Sequence, residues 1–177
     1  MTFTKEKVAE ACVVIAPTQK FDPLLILAVC LQEGGRNKDG TFAPDRARLE
    51  QGFYSRYVEG KENATTTEVL LSASYGVMQT MGLELERMGF FEFYFNLAPK
   101  GVQKVLKTAR AQFAIPSGID AFCENLNWQI EWGCKLMAEK QRKAGGDIKK
   151  TLLYWNGGGN PHYPDEVLAR LDKLKKP

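Results

Sequence analysis

The residue best suited to acid–base chemistry in this chain is Glu33, which follows an apolar stretch and precedes glycine. Residues 24–31 are all apolar, so the helix that they form has no polar face and should be buried. Glu33 then lies at the carboxyl end of that helix, where the helix dipole and the apolar surroundings both disfavour a charged carboxylate. We therefore expect a raised pKa for Glu33, which suits a general acid at neutral pH. The alternative is a side chain that reaches back to solvent from the last turn.

A second acid, Glu50, lies in segment 46–58, which mixes arginines with aromatic residues. Two carboxyl groups that face one another can divide the roles of acid and base, and Glu50 is the candidate for the second role because its stretch can face Glu33. Its alternative role is a salt bridge to Arg46, Arg48 or Arg56. We expect a short hairpin or an extended edge here, whose aromatic rings either line a groove or seal a small lobe against the core.

Two helices are expected to bring polar side chains into one cleft. The first is the Glu33 helix, which Asp22 can cap and in which Pro23 takes the first position. The second begins at Ile148, with Asp147 as its expected cap, and ends in polar residues and a run of three glycines. Its final polar and aromatic residues are Tyr154, Trp155 and Asn156. Since both helices are short, apolar and followed by glycine, their ends are candidates for the two sides of a single site.

The spacing of apolar residues predicts a mainly helical chain around these two elements. Packing helices are expected at residues 4–16, 100–113, 119–143 and from 164 onward. Ser117 is the expected cap of the long helix. A capping box formed by Thr65 and Glu68 begins another helix, which is expected to run through residues 72–82 with an interruption at Gly76. Segment 90–99 is the most aromatic part of the chain and is expected in the core.

The composition indicates one soluble globular domain over residues 1–177, with residues 36–63 as a polar, turn-rich lobe. Of the 177 residues, 44% are hydrophobic and 25% are charged. The net charge is only +3, and basic residues are spread along the chain among acidic ones. A nucleic-acid-binding domain would have a clustered basic stripe, so no nucleic-acid partner is expected.

The sequence disfavours a membrane span, a signal peptide, disulfide bonds and a metal site. No window reaches the roughly 18 to 20 apolar residues of a membrane span, so no stable membrane insertion is expected. The beginning of the chain lacks the layout of a signal peptide, so we expect synthesis in the cytoplasm. The cysteines are expected to be buried free thiols: Cys12, Cys30, Cys123 and Cys134. His162 is the only histidine, which excludes a multi-histidine zinc site, and no metal or cofactor is expected.

Three blocks of the sequence together resemble the lytic transglycosylases and goose-type lysozymes, a glycoside hydrolase family 23-like group. The blocks are Gln32-Glu33-Gly34, the run Tyr75-Gly76-Val77-Met78-Gln79, and Tyr154-Trp155-Asn156-Gly157-Gly158 followed by Tyr163 and Val167. In that family the corresponding blocks are Glu-Ser, Gly-Leu-Met-Gln and Tyr-Asn-Ala-Gly, in the same order. The resemblance extends over roughly residues 20–170 and implies an α+β lysozyme-like fold, in which a helical bundle surrounds a buried catalytic helix beside a small variable lobe.

The resemblance also implies roles for individual residues. Glu33 corresponds to the catalytic acid, which protonates the leaving oxygen and then acts as a base toward the muramoyl 6-hydroxyl. Gln79 and the Met78 backbone correspond to groups that hold the sugar, with Tyr75 in the same block. Asn156 belongs to the turn beside the cleft, together with Tyr154 and Trp155.

This chain departs from the family pattern at three places. Gly34 stands where the family has serine, which removes a hydroxyl that helps to orient the site. Trp155 stands at the tyrosine of the third block, so either Tyr154 supplies a phenol or no residue does. The segment between Glu33 and Gln79 is longer than is common in transglycosylases, and such an insertion resembles phage-encoded wall-degrading members.

The function implied is cleavage of the β-1,4 bond between N-acetylmuramic acid and N-acetylglucosamine in peptidoglycan glycan strands. Lytic transglycosylation with a 1,6-anhydro product is the first expectation, and hydrolysis by a muramidase that uses Glu33 and Glu50 is the alternative. A catalytically silent glycan-binding or virion structural module is a further alternative. A phage endolysin or virion-associated lysin would be made in the host cytoplasm and reach the cell wall or periplasm through a holin or a virion. A monomer is expected.

Overall fold

The computed structural model describes residues 2–34, 37–43, 47–59, 65–100, 103 and 115–176, apart from the side chains of Phe53, Arg56 and Tyr57. Over these residues the helices are α1 (Lys5–Ile15), α2 (Pro23–Glu33), α3 (Gln51–Tyr57), α4 (Thr66–Leu71), α5 (Gly82–Arg87), α6 (Phe90–Leu97), α7 (Ile115–Glu124), α8 (Leu126–Lys143), α9 (Ile148–Trp155) and α10 (Tyr163–Lys175). The strands are β1 (Arg48–Leu49), β2 (Ala73–Tyr75) and β3 (Thr80–Met81), and a 3₁₀ turn covers Ala16–Gln19. The prediction of a mainly helical fold is confirmed. The helix expected at 100–113 lies almost wholly outside the described residues.

Helix α2 is the buried centre of the larger hydrophobic core. Asp22 caps it by accepting a hydrogen bond from the Leu24 backbone N–H at 2.9 Å, and Pro23 follows at the first helical position. Every residue from 25 to 31 is buried. Helices α1 and α10 and the 3₁₀ turn pack around it. Each fully buried aliphatic side chain contributes about 1.5–3 kcal/mol to folding, which makes α2 a rigid support for the residue at its end.

A second, aromatic core lies beside the first, and α8 contributes to both. Phe90 is fully buried and packs edge-on against Phe122, Trp128 and Trp132, with ring centroids 5.2–5.8 Å apart. From α8, Trp132 belongs to this aromatic core, whereas Ile130, Cys134 and Met137 belong to the core around α2. The expectation that segment 90–99 enters the core is confirmed for its buried rings.

The three strands form one small antiparallel sheet in the order β1-β2-β3. Arg48 pairs with Ser74, and Tyr75 pairs with Thr80 across a tight turn. The helical continuation predicted for residues 72–82 is therefore wrong, because α4 ends at Leu71 and a hairpin follows. Of the two alternatives expected within 46–58, the described residues of that segment form an extended edge and not a hairpin: β1 is an edge strand of the sheet, and helix α3 follows it.

The long helix predicted at 119–143 is divided into α7 and α8. Asn125 stands between them with an extended backbone, and its side chain accepts a hydrogen bond from the Trp128 N–H at 3.1 Å. Asn125 is therefore the cap of α8, whereas Ser117 lies inside α7 rather than at its start. The predicted cap at Asp147 is confirmed, since its carboxylate accepts a hydrogen bond from the Lys150 N–H at 2.9 Å.

The cysteines match a narrower expectation. All four cysteines are buried and carry free thiols. Among the helices of the described residues, none is long and apolar enough to cross a bilayer.

Candidate active site

Glu33 is the last residue of α2, and its carboxyl group faces a cleft while remaining almost inaccessible to solvent. The helix ends there because the Gly34 N–H donates to the Cys30 carbonyl at 2.8 Å and the chain then becomes extended. Only 6% of the Glu33 side chain is exposed. The alternative of a glutamate extended into solvent is therefore wrong.

Burial raises the pKa of the Glu33 carboxyl above its usual range. The Tyr163 hydroxyl, the Arg48 guanidinium and the Trp155 indole oppose this effect by favouring the carboxylate, and the nearby Glu50 charge adds to it. Desolvation is the largest of these influences, so the proton is retained to higher pH than on a glutamate in water. The expected direction of the pKa shift is confirmed, and the catalytic role of Glu33 stays a prediction.

Glu50 lies in the same cleft and is held by two side chains of the sheet. Its Oε1 atom accepts hydrogen bonds from Arg48 Nε at 3.0 Å and from Ser74 Oγ at 2.7 Å, and Arg48 Nη2 is 3.0 Å away. Glu50 therefore lies in the cleft, as its candidate role requires. Its predicted salt bridge to Arg48 is confirmed. Arg46 and the Arg56 side chain lie outside the described residues.

Arg48 and Ser74 reach the site because β1 pairs with β2. Their Cα atoms are partners in the antiparallel register, so their side chains project from the same face of the sheet. The backbone N–H of Glu50 also donates to the Ser72 carbonyl at 3.0 Å, which continues the attachment beyond the strand. The sheet therefore fixes the second acid relative to the first.

Tyr163, the first residue of α10, approaches the Glu33 carboxyl from the core. Its residue exposure is only 2%, and its hydroxyl makes no hydrogen bond of ordinary geometry within the described residues. Burial raises the pKa of this phenol, and the Glu33 charge raises it further, so it remains a neutral O–H donor at physiological pH. The hydroxyl interacts with Glu33 but does not form a full hydrogen bond. The contact can shorten into one when the Glu33 carboxyl becomes charged.

Gln79 reaches the cleft from the turn between β2 and β3, where it has a left-handed backbone with φ of 50°. Its side-chain Nε2 donates to the Gly76 carbonyl at 2.9 Å. Gln129 of α8 secures the turn by accepting from the Val77 N–H at 2.9 Å, and its own Nε2 donates to the Cys123 carbonyl at 2.8 Å. A side chain at Gly76 would collide with Gln129 and would also be strained at φ of 76°, so glycine is required.

The end of α9 brings the third predicted block to the cleft. Tyr154, Trp155 and Asn156 all line it. The Asn156 side chain also accepts a hydrogen bond from the Asn160 N–H at 2.8 Å, which shapes the turn after the helix. Gln32 donates to Glu166 at 2.7 Å and accepts from Arg170 at 2.6 Å, so the end of α2 is tied to α10.

Two predicted binding residues are not brought to the cleft. The Tyr75 side chain is buried in the aromatic core, and its hydroxyl donates to the Leu70 carbonyl at 2.8 Å. Met78 is fully buried in the core around α2, and its sulfur occupies the space beside Gly133 of α8. The prediction that Tyr75 contacts substrate is therefore wrong for its side chain, and Met78 can contribute only through its backbone.

The lack of a side chain at Gly34 has a packing reason. A Cβ atom at residue 34 would lie 2.5 Å from Phe42 Cδ1 and 2.7 Å from the Cys30 carbonyl oxygen. Phe42 is fully buried and is held by two backbone hydrogen bonds with Phe3, of 2.8 and 3.1 Å. The ring therefore occupies the place that a side chain on residue 34 would need.

Sequence reasoning did not name several polar residues of the cleft as site residues, among them Arg48, Ser74, Glu84 and Lys140, nor Tyr163 behind Glu33. Tyr163 follows the third block closely, and Arg48 was considered only as a partner for Glu50. Glu84 and Lys140 form the far wall, with Lys140 Nζ 3.4 Å from Glu84 Oε1. Their positions in sequence contain no signal for the site, because α5 and α8 meet only in the folded chain.

Within the part of the chain that the structure describes, no group of three or more His, Cys, Asp or Glu side chains could hold a metal ion. Comparison of the chain with protein-family models, with curated proteins and with solved structures finds no match. The site is therefore interpreted from its own geometry and chemistry.

Proposed function

We propose that the chain is a peptidoglycan-degrading glycosidase of the lytic transglycosylase and goose-type lysozyme kind. It cleaves the β-1,4 bond between N-acetylmuramic acid and N-acetylglucosamine, and Glu33 is the catalytic acid. The observation that carries the proposal is a nearly inaccessible carboxyl group with a raised pKa at the end of a buried helix, facing a cleft. General acid catalysis of glycoside cleavage requires such a group.

The arrangement around Glu33 suits a cycle of proton donation and recovery. In the first half, protonated Glu33 gives its proton to the glycosidic oxygen, and the bond from this oxygen to C1 of the muramoyl sugar breaks. In the second half, the Glu33 carboxylate takes the proton of the muramoyl 6-hydroxyl while that oxygen bonds to C1. The product is a 1,6-anhydro ring, no water is consumed, and Glu33 regains its proton.

Tyr163 and Arg48 support the charged half of this cycle. Both lower the pKa of Glu33, which means that both stabilise the carboxylate more than the acid. Burial acts in the opposite direction and keeps the carboxyl protonated beforehand. Opposed influences of this kind allow one group to act as acid and then as base near neutral pH.

Glu50 favours a second candidate, a muramidase in which it is the second carboxylate. It lines the same cleft as Glu33, which is the observation in favour of hydrolysis. However, Arg48 and Ser74 both donate to its Oε1 atom, and these contacts reduce its availability as a base or nucleophile. We therefore rank transglycosylation by Glu33 first.

The longer segment between Glu33 and Gln79 supports the narrower proposal of a phage lysin. This feature resembles phage-encoded members of the family, which reach the wall through a holin or within a virion. On this proposal the substrate is the glycan strand of the bacterial wall.

The test is digestion of purified peptidoglycan by the wild type and by Glu33→Gln, with mass spectrometry of the soluble products. We expect anhydromuramoyl ends from the wild type and a loss of rate of about 10²–10⁴-fold in the variant, the usual contribution of a general acid. Glu10→Gln is the matched control, because Glu10 is exposed on α1. Equal clearing by Glu33→Gln and the wild type would remove the role of Glu33, and reducing muramic ends would favour the muramidase.

A further inference from the structure

A surface groove continues directly from the cleft along the ends of α8 and α9. It is lined by Lys140, Lys143, Leu153, Tyr154, Gly157 and Gly158, and we call it the lysine groove. Three of these residues also line the cleft: Lys140, Tyr154 and Gly157. A ligand that occupies the cleft can therefore extend into the lysine groove without leaving the surface.

The lysine groove is positively charged along one side. Lys140 and Lys143 are three residues apart in α8, so they lie on the same face of the helix. Both are in its last turn, where the negative end of the helix dipole favours cations. Lys140 shares its charge with Glu84 at 3.4 Å, whereas Lys143 is exposed and has no ion pair among the described residues. At least one full positive charge is therefore available to a ligand.

The cleft itself has a different charge from the groove. Its acids are Glu33, Glu50 and Glu84, and Arg48 and Lys140 oppose them. These two cations balance Glu50 and Glu84, so the set is close to neutral and Glu33 is the one acid left over. The surface thus changes from a near-neutral cleft to a basic groove over a short distance.

We propose that the lysine groove binds the acidic peptide stem of peptidoglycan, which branches from the muramoyl lactyl group. This inference rests on the proposed function, since it takes the glycan strand as the ligand of the cleft. N-Acetylated sugars joined to a peptide are uncharged, so the free carboxylates of the substrate belong to the stem. The basic groove beside a near-neutral cleft matches this distribution of charge.

The remaining lining suits a peptide rather than a lone anion. Tyr154 is 44% exposed and offers an aromatic face at the junction with the cleft. Leu153 adds apolar surface, and the glycine turn after α9 has no side chains that would block a backbone. Gly157 and Gly158 have φ of 69° and 77°, which disfavours larger residues there even though the space around them is open.

The experiment compares two soluble ligands by calorimetry with the wild-type protein. One is an N-acetylglucosaminyl-N-acetylmuramoyl peptide with free stem carboxylates, and the other is the same compound with those carboxylates converted to amides. Neither contains the muramoyl–glucosaminyl bond of the proposed reaction. We expect the acidic ligand to bind about two- to five-fold more tightly, as one exposed ion pair allows.

Variants at exposed lysines assign the preference to the groove. Lys143→Gln should bring the affinity ratio close to one, and Lys143→Glu should invert it. Lys150→Gln, at an exposed residue of α9 outside the groove, is the matched control and should keep the wild-type ratio. A melting temperature equal to that of the wild type shows that each variant is folded.

The outcomes separate this inference from the proposed function. Equal affinity for the two ligands, no binding of either, or an unchanged ratio in both Lys143 variants would overturn the stem-binding groove, even if the wild type degrades peptidoglycan. A carboxylate preference that depends on Lys143 would support the groove, even if digestion of peptidoglycan yields no products and the proposed enzyme activity fails.

Discussion

The Nη1 atom of Arg48 lies 3.7 Å from Oε2 of Glu33, while the same guanidinium is 3.0 Å from Oε1 of Glu50. One cation thus serves two carboxyl groups, and the closer contact is with Glu50. The Arg48 side chain is 56% exposed, so water weakens its effect on Glu33, which is nearly inaccessible. This difference leaves burial as the dominant influence on the Glu33 pKa and gives the two acids unequal environments.

Glu50→Gln tests whether the second acid takes part in the reaction. Since Arg48 and Ser74 already hold its carboxylate, we expect the variant to keep forming anhydromuramoyl products, with a rate lowered less than about tenfold. The neutral amide can still accept from Ser74, so the local fold should persist. Product analysis by mass spectrometry is the measurement. A complete loss of product with the fold intact would assign an essential role to Glu50 and favour the muramidase.

Glu33→Gln should change how stability depends on pH. The pKa of Glu33 is raised in the folded protein, so between the unfolded and folded pKa values the native state binds more protons than the unfolded state. The free energy of unfolding of the wild type should therefore fall as pH rises through that window. The glutamine variant lacks this loss, so its stability relative to the wild type should increase with pH, by about 1.4 kcal/mol for each unit of pKa shift.

Urea unfolding of both proteins at a series of pH values from mildly acidic to neutral measures this difference. Its slope with pH is the informative quantity, because the amide also adds a constant offset. A difference that does not depend on pH would mean that the carboxyl has an ordinary pKa in the folded protein.

Tyr163→Phe separates stability from the tuning of the site. The phenol has no ordinary hydrogen-bond partner in the described part of the chain, so the stability of the variant should equal or exceed that of the wild type. Without the hydroxyl the pKa of Glu33 should rise further, and the alkaline limb of the kcat/KM profile should move to higher pH. We expect kcat to fall about tenfold, since the hydroxyl can no longer donate to the Glu33 carboxylate that forms when the proton is transferred.

Tyr75→Phe is the matched control for this substitution. It removes a buried hydroxyl that does have a partner, the Leu70 carbonyl at 2.8 Å, in the aromatic core. Its stability should fall by about 1 kcal/mol, while the pH profile stays in place. If the two variants shift the profile equally, the effect of Tyr163 is not specific to Glu33.

Gly34→Ser tests whether residue 34 can accept a side chain. The new Cβ would collide with the Phe42 ring and the Cys30 carbonyl, and neither can move freely in the core. We expect a loss of about 1–3 kcal/mol in the free energy of unfolding and no gain in activity. Gly34→Ala should lose a similar amount, because the clash arises from the Cβ atom and not from the hydroxyl.

Gly52→Ala is the control for these glycine replacements. Gly52 is exposed in α3, and a Cβ there meets nothing within 4 Å. Its substitution should be neutral or should stabilise the protein by roughly 0.5–1 kcal/mol through helix propensity. Gly34 variants as stable as the wild type would show that Phe42 yields easily, and the packing explanation would then fail.

Local signals account for the correct parts of the sequence prediction. The caps at Asp22, Thr65 and Asp147 depend on hydrogen bonds that span two or three residues, so nearby residue types are sufficient to place them. The burial of α2 and the raised pKa of Glu33 at its end also follow from neighbouring residues, the continuous stretch 24–33. Trp155 and Asn156 reach the cleft because a short helix ends beside them.

A distant contact accounts for the error over residues 72–82, whereas the missed cap at Asn125 depends on a hydrogen bond that spans three residues. Residues 73–81 form a hairpin because Gln129, 52 residues beyond Val77, supplies the partner of the turn. That hairpin also directs Tyr75 and Met78 into two different cores. No periodicity in the segment contains this information, since the deciding partner is on another helix.

The sequence by itself determined a mainly helical chain and the placement of one acid at the end of a buried helix, because local hydrogen bonds and apolar periodicity act over a few residues. Only the tertiary structure decided which groups surround that acid. Arg48 and Ser74 enter through strand pairing, Tyr163 enters through the packing of α10 on α2, and Phe42 excludes any side chain at Gly34. These contacts join residues far apart in the chain, and their geometry exists only once the helices and the sheet have packed together.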